Sequence, residues 1–116
     1  MRVLILDDLQ ERHDIFDMFL RAGENLLYHA YTHAAAIVLL HSQPVFDVVY
    51  LDYNLGPDDC TGLDTARYIA EILPKSKRPA EVLIHSADVL GAPQMLKMLR
   101  RSGVRARLEE FGSRCF

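Results

Sequence analysis

Residues 45–52, Val45-Phe46-Asp47-Val48-Val49-Tyr50-Leu51-Asp52, decide how this chain reads. A nearly unbroken apolar run rich in β-branched and aromatic residues is the signature of a strand buried on both faces, and this one stops on a carboxylate. The N-terminus repeats the pattern, because Val3-Leu4-Ile5-Leu6 is closed by Asp7 and Asp8. Helical spacing appears between the two runs. Ile15, Phe16, Phe19 and Leu20 recur three and four apart within residues 10–22, and Gly23 follows as a stop. Residues 26–31 read as a second strand, after which Thr32 caps a helix that runs through Ala34 and Leu40 toward Pro44.

Downstream of Asp52 lies a polar loop of Gly, Pro and Asp. Thr61 and Asp64 then form a capping pair that opens a helix through Ala66, Ile69 and Leu73, ended by Pro74. Glu81-Val82-Leu83-Ile84-His85 is a fourth strand. Pro93 and Gly103 frame a helix over residues 92–102, and residues 104–108 form a weaker fifth strand. The order (βα)₄β calls for an α/β fold, with one parallel sheet, helices on both faces and right-handed crossovers.

The 116 residues are expected to form one domain, 1–116, large enough to bury a core without staples. With 13 basic and 16 acidic residues the net charge is −3, so no global field draws the chain to nucleic acid or an anionic membrane. No apolar stretch approaches a membrane span, and Asp7 and Asp8 break the N-terminal run well short of a secretory core. Cys60 and Cys115 have no metal-ligand spacing and fit a reducing compartment. The expectation is a cytoplasmic protein.

In open parallel sheets ligands bind beyond the carboxyl ends of the strands, at the point where strand order reverses. There the sequence places Asp7, Asp8 and Asp52. Three carboxylates so close repel one another, and a hard divalent cation relieves that conflict. Mg²⁺, which favours one or two carboxylates, several waters and a phosphate oxygen, suits an open strand-end cluster. An aspartate beside it can also act as a nucleophile on phosphorus. Ser86, just past the fourth strand, could donate to a phosphoryl oxygen, and His85 could carry a proton. Each has a plainer reading: Asp7 and Asp8 as helix caps, Ser86 as a cap of the 86–93 loop, His85 as a satisfied strand-end histidine. A basic side chain filling the space between the acids would overturn the metal reading.

These residues resemble the receiver domain of bacterial response regulators. Leu6-Asp7-Asp8 is similar to its acidic pair, Leu51-Asp52-Tyr53-Asn54-Leu55-Gly56 to its phosphoacceptor segment, Thr61-Gly62-Leu63-Asp64 to the start of its third helix, and Ser86-Ala87 to its step after strand four. The resemblance implies a flavodoxin-like three-layer sandwich, a five-stranded sheet in order 2-1-3-4-5. It makes Asp52 the phosphoacceptor, with Asp7, Asp8 and the Asn54 carbonyl as further Mg²⁺ ligands and Ser86 as the switching hydroxyl. A narrower branch, the receiver-like family associated with cyclic phosphates in bacteria and phages, is closer. Its marks read here as Asp7-Asp8 followed by Glu11-Arg12, Leu51-Asp52-Tyr53-Asn54-Leu55-Gly56, and His85-Ser86-Ala87-Asp88 with Gly91 and Met95.

The chain departs from both patterns. The narrower family tends to have His-Asp where Tyr53-Asn54 stands, and Asn where Asp88 stands. Receivers place a lysine after strand five, whereas this chain has Arg105 and Arg107 there and no lysine beyond Lys97. Eight residues follow Leu108, too few for the fifth helix of a receiver, so the fold is expected to be truncated before that helix, with one sheet face partly uncovered unless a partner or the short tail covers it. The leading expectation is a stand-alone, Mg²⁺-dependent domain that accepts a phosphoryl group or processes a phosphate ester or cyclic phosphate. Its partner would be a phosphoryl donor or small phosphorylated ligand. The alternative is a non-catalytic pseudo-receiver that binds a protein partner, a role that suits a small phage accessory protein. A haloacid-dehalogenase-like hydrolase needs Asp-x-Asp, and Asp7-Asp8 has the wrong spacing.

Overall fold

The computed structural model describes residues 1–57, 59–86 and 88–109; Ala87 and Cys115 therefore lie outside the described residues. The strands are β1 (Arg2–Leu6), β2 (Leu26–Ala30), β3 (Val48–Leu51), β4 (Glu81–Ile84) and β5 (Ala106–Leu108). The main helices are α1 (Gln10–Leu20), α2 (His33–Ser42), α3 (Gly62–Arg67) and α4 (Gly91–Arg101). All strand pairs are parallel, in the order β2-β1-β3-β4-β5. This is the flavodoxin-like order that the resemblance to receiver domains implies.

The strand residues divide between two apolar layers, as period-two geometry demands. Leu4, Leu6, Val49, Leu51, Val82 and Ile84 join one cluster with Leu40, Ile69, Met95 and Leu99 of the helical segments. Val3, Ile5, Val48, Tyr50 and Leu83 join Phe16 of α1 on the other side. Tyr50 is only 4% exposed and Leu83 only 2%. The α1-side face is therefore covered at β3 and β4. At the edge strand, Leu108 of β5 is 46% exposed, and no helix follows β5 among the described residues. No described helix is long and apolar enough to cross a membrane.

Local signals act where the sequence placed them. The Thr32 hydroxyl accepts the Ala35 N–H at 3.1 Å, and the Asp64 carboxylate accepts the Thr61 N–H at 2.9 Å. Gly103 takes the left-handed φ of +84° that ends α4. The third helix differs from expectation, because beyond Arg67 it widens into a π-helical turn, Tyr68–Ile72, closed by the Leu73 N–H on the Tyr68 carbonyl at 2.8 Å. β3 starts three residues later than the apolar run, at Val48. Phe46 is buried before the strand begins, so the early part of that run reflects core packing rather than strand pairing.

Candidate functional site

Sheet register assembles the site. Leu6 pairs with Leu51, and Leu51 with Ile84, so the next residues, Asp7, Asp52 and His85, stand in a row beyond three adjacent strands. Each lies two positions after a residue of the α1-side cluster, namely Ile5, Tyr50 and Leu83. Period two therefore turns all three toward α1. They are buried, and each offers a ligand atom within 4.8 Å of the others. Among the described residues they are the group able to hold a metal ion.

Asp7 is the most heavily bonded of the three. Its Oδ1 accepts the Leu9 N–H at 2.9 Å; its Oδ2 accepts from His85 Nε2 at 2.9 Å and from Arg12 Nη1 at 3.2 Å. Burial alone would raise its pKa. The His85 hydrogen bond, the Leu9 N–H and the charges of His85 and Arg12 outweigh burial and hold the carboxyl group below its usual range. An ionised carboxylate can only accept, so His85 Nε2 carries the proton. That ring packs edge-on against Phe16, with centroids 5.2 Å apart. His85 thus fixes the orientation of a metal-competent carboxylate, the task that outer-shell imidazoles and carboxylates perform for one another.

Asp52 sits beside it in a different balance. Burial and then the negative charge of Asp7 push its carboxyl group up from the ordinary value, while His85, Arg12 and the Asn54 N–H pull the other way. Arg12 Nη1 donates to Asp52 Oδ2 at 3.0 Å, so one nitrogen spans both acids. This is the basic group whose presence overturns the expectation of an open cation site, because the space between the acids is already filled. The acids are not a vacant cluster but a partly neutralised one, and a cation can enter only as Arg12 leaves. The side chain of Arg12 is 32% exposed, against 0% and 3% for the acids, so its route out is toward solvent.

The remaining expected residues occupy the rim. Asp8 is half-buried, and its Oδ2 faces the turn at Gly56, where φ is +95°. Asn54 is exposed, with its N–H turned to Asp52. Ser86 accepts the Asp88 N–H at 3.1 Å and lines a hollow of about 450 Å³ with Ile84, Val89, Pro93 and Leu108. Asp88 caps the start of α4, its Oδ1 accepting the Leu90 and Gly91 N–H groups at 3.0 and 2.6 Å. Arg107 pairs with Glu81 and Glu109 instead of the acids.

Two site residues lacked a role in the sequence reading. Arg12 was visible only as half of the Glu11-Arg12 pair. His13, 1% exposed, went unnoticed: its Nε2 donates to the Asp7 carbonyl at 2.8 Å and its Nδ1 meets His29 Nδ1 at 2.6 Å, while His29 Nε2 reaches Asp17 at 2.8 Å. Burial holds His13 below its ordinary pKa, though the bond to the Asp7 carbonyl opposes this. The available signal was spacing, since positions 12 and 13 lie in the first turn of a helix that starts just past the Asp-Asp step.

Residues 2–101 match the family model described as the cyclic-phosphate processing receiver domain. The chain belongs to that family. Solved receivers share its fold. A CheY-like receiver domain from Methylobacillus flagellatus is 18% identical, with TM-score 0.73, covering 95% of this chain and 85% of that one. A response regulator from Burkholderia pseudomallei, crystallised with a phosphorylated aspartic acid, calcium ion and citrate, is 19% identical with TM-score 0.71, covering 92% and 58%. The HemR receiver domain of Leptospira biflexa is 25% identical with TM-score 0.70, covering 94% and 80%. Among curated proteins none matches. In this receiver domain two of the motif glycines, Gly62 and Gly91, are packing devices, whereas Gly56 serves a turn with φ of +95°. A Cβ on Gly62 would lie 1.9 Å from the Asp52 carbonyl oxygen and 3.0 Å from Met95 Cε, and one on Gly91 would lie 2.2 Å from the Tyr53 ring. Gly62, Gly91 and Met95 therefore set the position of the segment that carries Asp52.

Proposed function

We propose that this receiver domain is a divalent-cation-dependent site that processes a small phosphorylated ligand, a cyclic phosphate or phosphate ester. The reading is supported above all by the buried Asp7, Asp52 and His85 group, at the carboxyl edge of the sheet, in a chain of this family. The donor set fits Mg²⁺: two carboxylates within reach of one ion, His85 committed to Asp7, and an open rim for water and phosphate oxygen. Bound there, Mg²⁺ would neutralise the acids and polarise a phosphoryl oxygen. Asp7 and Asp52 would hold it, with Asp8 and the Asn54 carbonyl at the rim. Ser86 would donate to a phosphoryl oxygen. Asp52 would be the group nearest phosphorus, as nucleophile or as base for water. Opening a cyclic phosphate by water adds one P–O bond and breaks another, leaving a monoester and a hydroxyl. Processing is favoured over stable phospho-Asp52 signalling by the match to the cyclic-phosphate processing family.

The test is a Mg²⁺ titration followed by amide shifts and tyrosine fluorescence, with phosphorus NMR of an added 2′,3′-cyclic nucleotide and mass measurement after acetyl phosphate. Saturable binding in the millimolar range or below, lost in Asp52→Ala, with Mg²⁺-dependent conversion to a monoester, supports the proposal. No response to Mg²⁺ overturns it. One observation favours a second reading: Arg12 already spans both acids. If that pair never opens, the domain is a pseudo-receiver and its output is a protein contact.

A further inference from the structure

Two buried acids, a divalent cation and a phosphate together require a cation that can change partners. Arg107 is engaged at the β5 edge with Glu81, the first residue of β4, far along the strand from its carboxyl end. Arg105 precedes β5 and so stands at the opposite end of the sheet from the acids. Among the described residues Arg12 is the arginine that touches them, at 3.0 and 3.2 Å, from a side chain one-third exposed. Burial works against its charge, but Asp7, Asp52 and Asp8 more than restore it, so it stays protonated at any working pH.

The charge balance assigns the rest. Without a divalent cation, one guanidinium between two carboxylates leaves the pocket near −1. A divalent cation in the same place would raise it to about +1 if Arg12 stayed, with two cations crowding one gap. Repulsion then drives Arg12 outward, along the one direction its burial leaves open, toward the rim where a phosphoryl group would sit. A guanidinium offers a planar pair of donors that match phosphate oxygens. Resting on the proposed function, we propose that Arg12 is the phosphate-binding cation of this site. It is held by Asp7 and Asp52 until a divalent cation takes those carboxylates, and it then turns to the phosphoryl oxygens, replacing the lysine that receivers use.

The consequence is a pair of opposite effects. Arg12→Gln removes a competitor from the carboxylates and a ligand from the phosphate. Isothermal titration with Mg²⁺ alone, then with inorganic phosphate at saturating Mg²⁺, reads both. Charge-assisted hydrogen bonds are strong enough for about tenfold changes in each constant: tighter Mg²⁺, weaker phosphate. Arg12→Lys keeps a point charge without the fork, so its phosphate affinity falls between wild type and Arg12→Gln; it also repeats the test if Arg12→Gln does not fold, as judged by its amide spectrum. Weakened or unchanged Mg²⁺ binding in Arg12→Gln, or unchanged phosphate binding, overturns the role of Arg12 while the metal site stands. Absence of Mg²⁺ binding in both wild type and Arg12→Gln overturns the functional reading and this role with it.

Discussion

Gly91→Ala tests whether the segment carrying Asp52 is positioned by contact with α4. The added methyl carbon would lie 2.2, 2.3 and 2.5 Å from Cδ1, Cε1 and Cγ of Tyr53. Carbon atoms rest at about 3.5–4.0 Å, so the ring must retreat by more than about 1 Å. Because Cγ is among the clashing atoms, turning the ring about its own axis does not suffice, and the Tyr53 side chain or its backbone has to shift. Overpacking of this kind costs about 1–3 kcal/mol. Alanine in place of glycine in a helix returns at most about 1 kcal/mol, and less at a first position such as this one, so the net effect is destabilising. With roughly 0.5 kcal/mol returned, about 0.5–2.5 kcal/mol remains, and for a domain near this size the melting temperature should fall by roughly 2–12 °C. Thermal and urea melts of wild type, Gly91→Ala, Tyr53→Ala and the double variant form a cycle. The methyl group no longer meets a ring in Tyr53→Ala, so the two losses should fall short of additivity by at least about 1 kcal/mol. A Gly91→Ala melt at or above the wild-type temperature, or strict additivity, would refute the packing account.

Two predictions concern pH and the acids. Asp52 is raised in the folded chain by burial and by Asp7, so folding binds its proton more tightly than the unfolded chain does. Its ionisation therefore destabilises the fold as pH climbs from the unfolded value of 3.8 through the folded one. Asp52→Asn should be more stable than wild type at neutral pH without metal, and the gain should shrink as pH falls toward that value; urea melts across pH 3–8, which brackets the carboxyl range, check it. Asp7 runs the other way: its lowered pKa contributes stability above the unfolded value of 3.8, lost as pH falls through the folded one. His85→Leu should cost about 2 kcal/mol at neutral pH by removing a charge-assisted hydrogen bond, and should flatten this acid-side loss. An unchanged acid limb would show that His85 does not hold Asp7.

The elements were legible because their signals are local. Apolar runs at Val3–Leu6 and in residues 45–51, the Thr32 and Thr61 caps and the Gly103 stop each report on a few neighbouring residues, and the alternation they form admits a parallel sheet. That Asp7 and Asp52 share an edge follows from strand ends and topology. Strand parity also bore on the sorting of Asp7 from Asp8, since Asp7 continues the face of Val3 and Ile5. Reading it required knowing which face α1 covers.

By itself, then, the sequence determined the fold and the edge at which Asp7, Asp8, Asp52, His85 and Ser86 gather. Only the tertiary structure decided that His85 is bonded to Asp7 while Asp8 stays at the rim, that the two buried acids lie in contact with Arg12, and that Gly62 and Gly91 serve the packing around Asp52 and Tyr53. The physical reason is reach. A strand end is fixed by its own residues, whereas a long arginine side chain, a ring pressed on a glycine, or an imidazole two strands away acts across elements, and its direction exists only once those elements have packed.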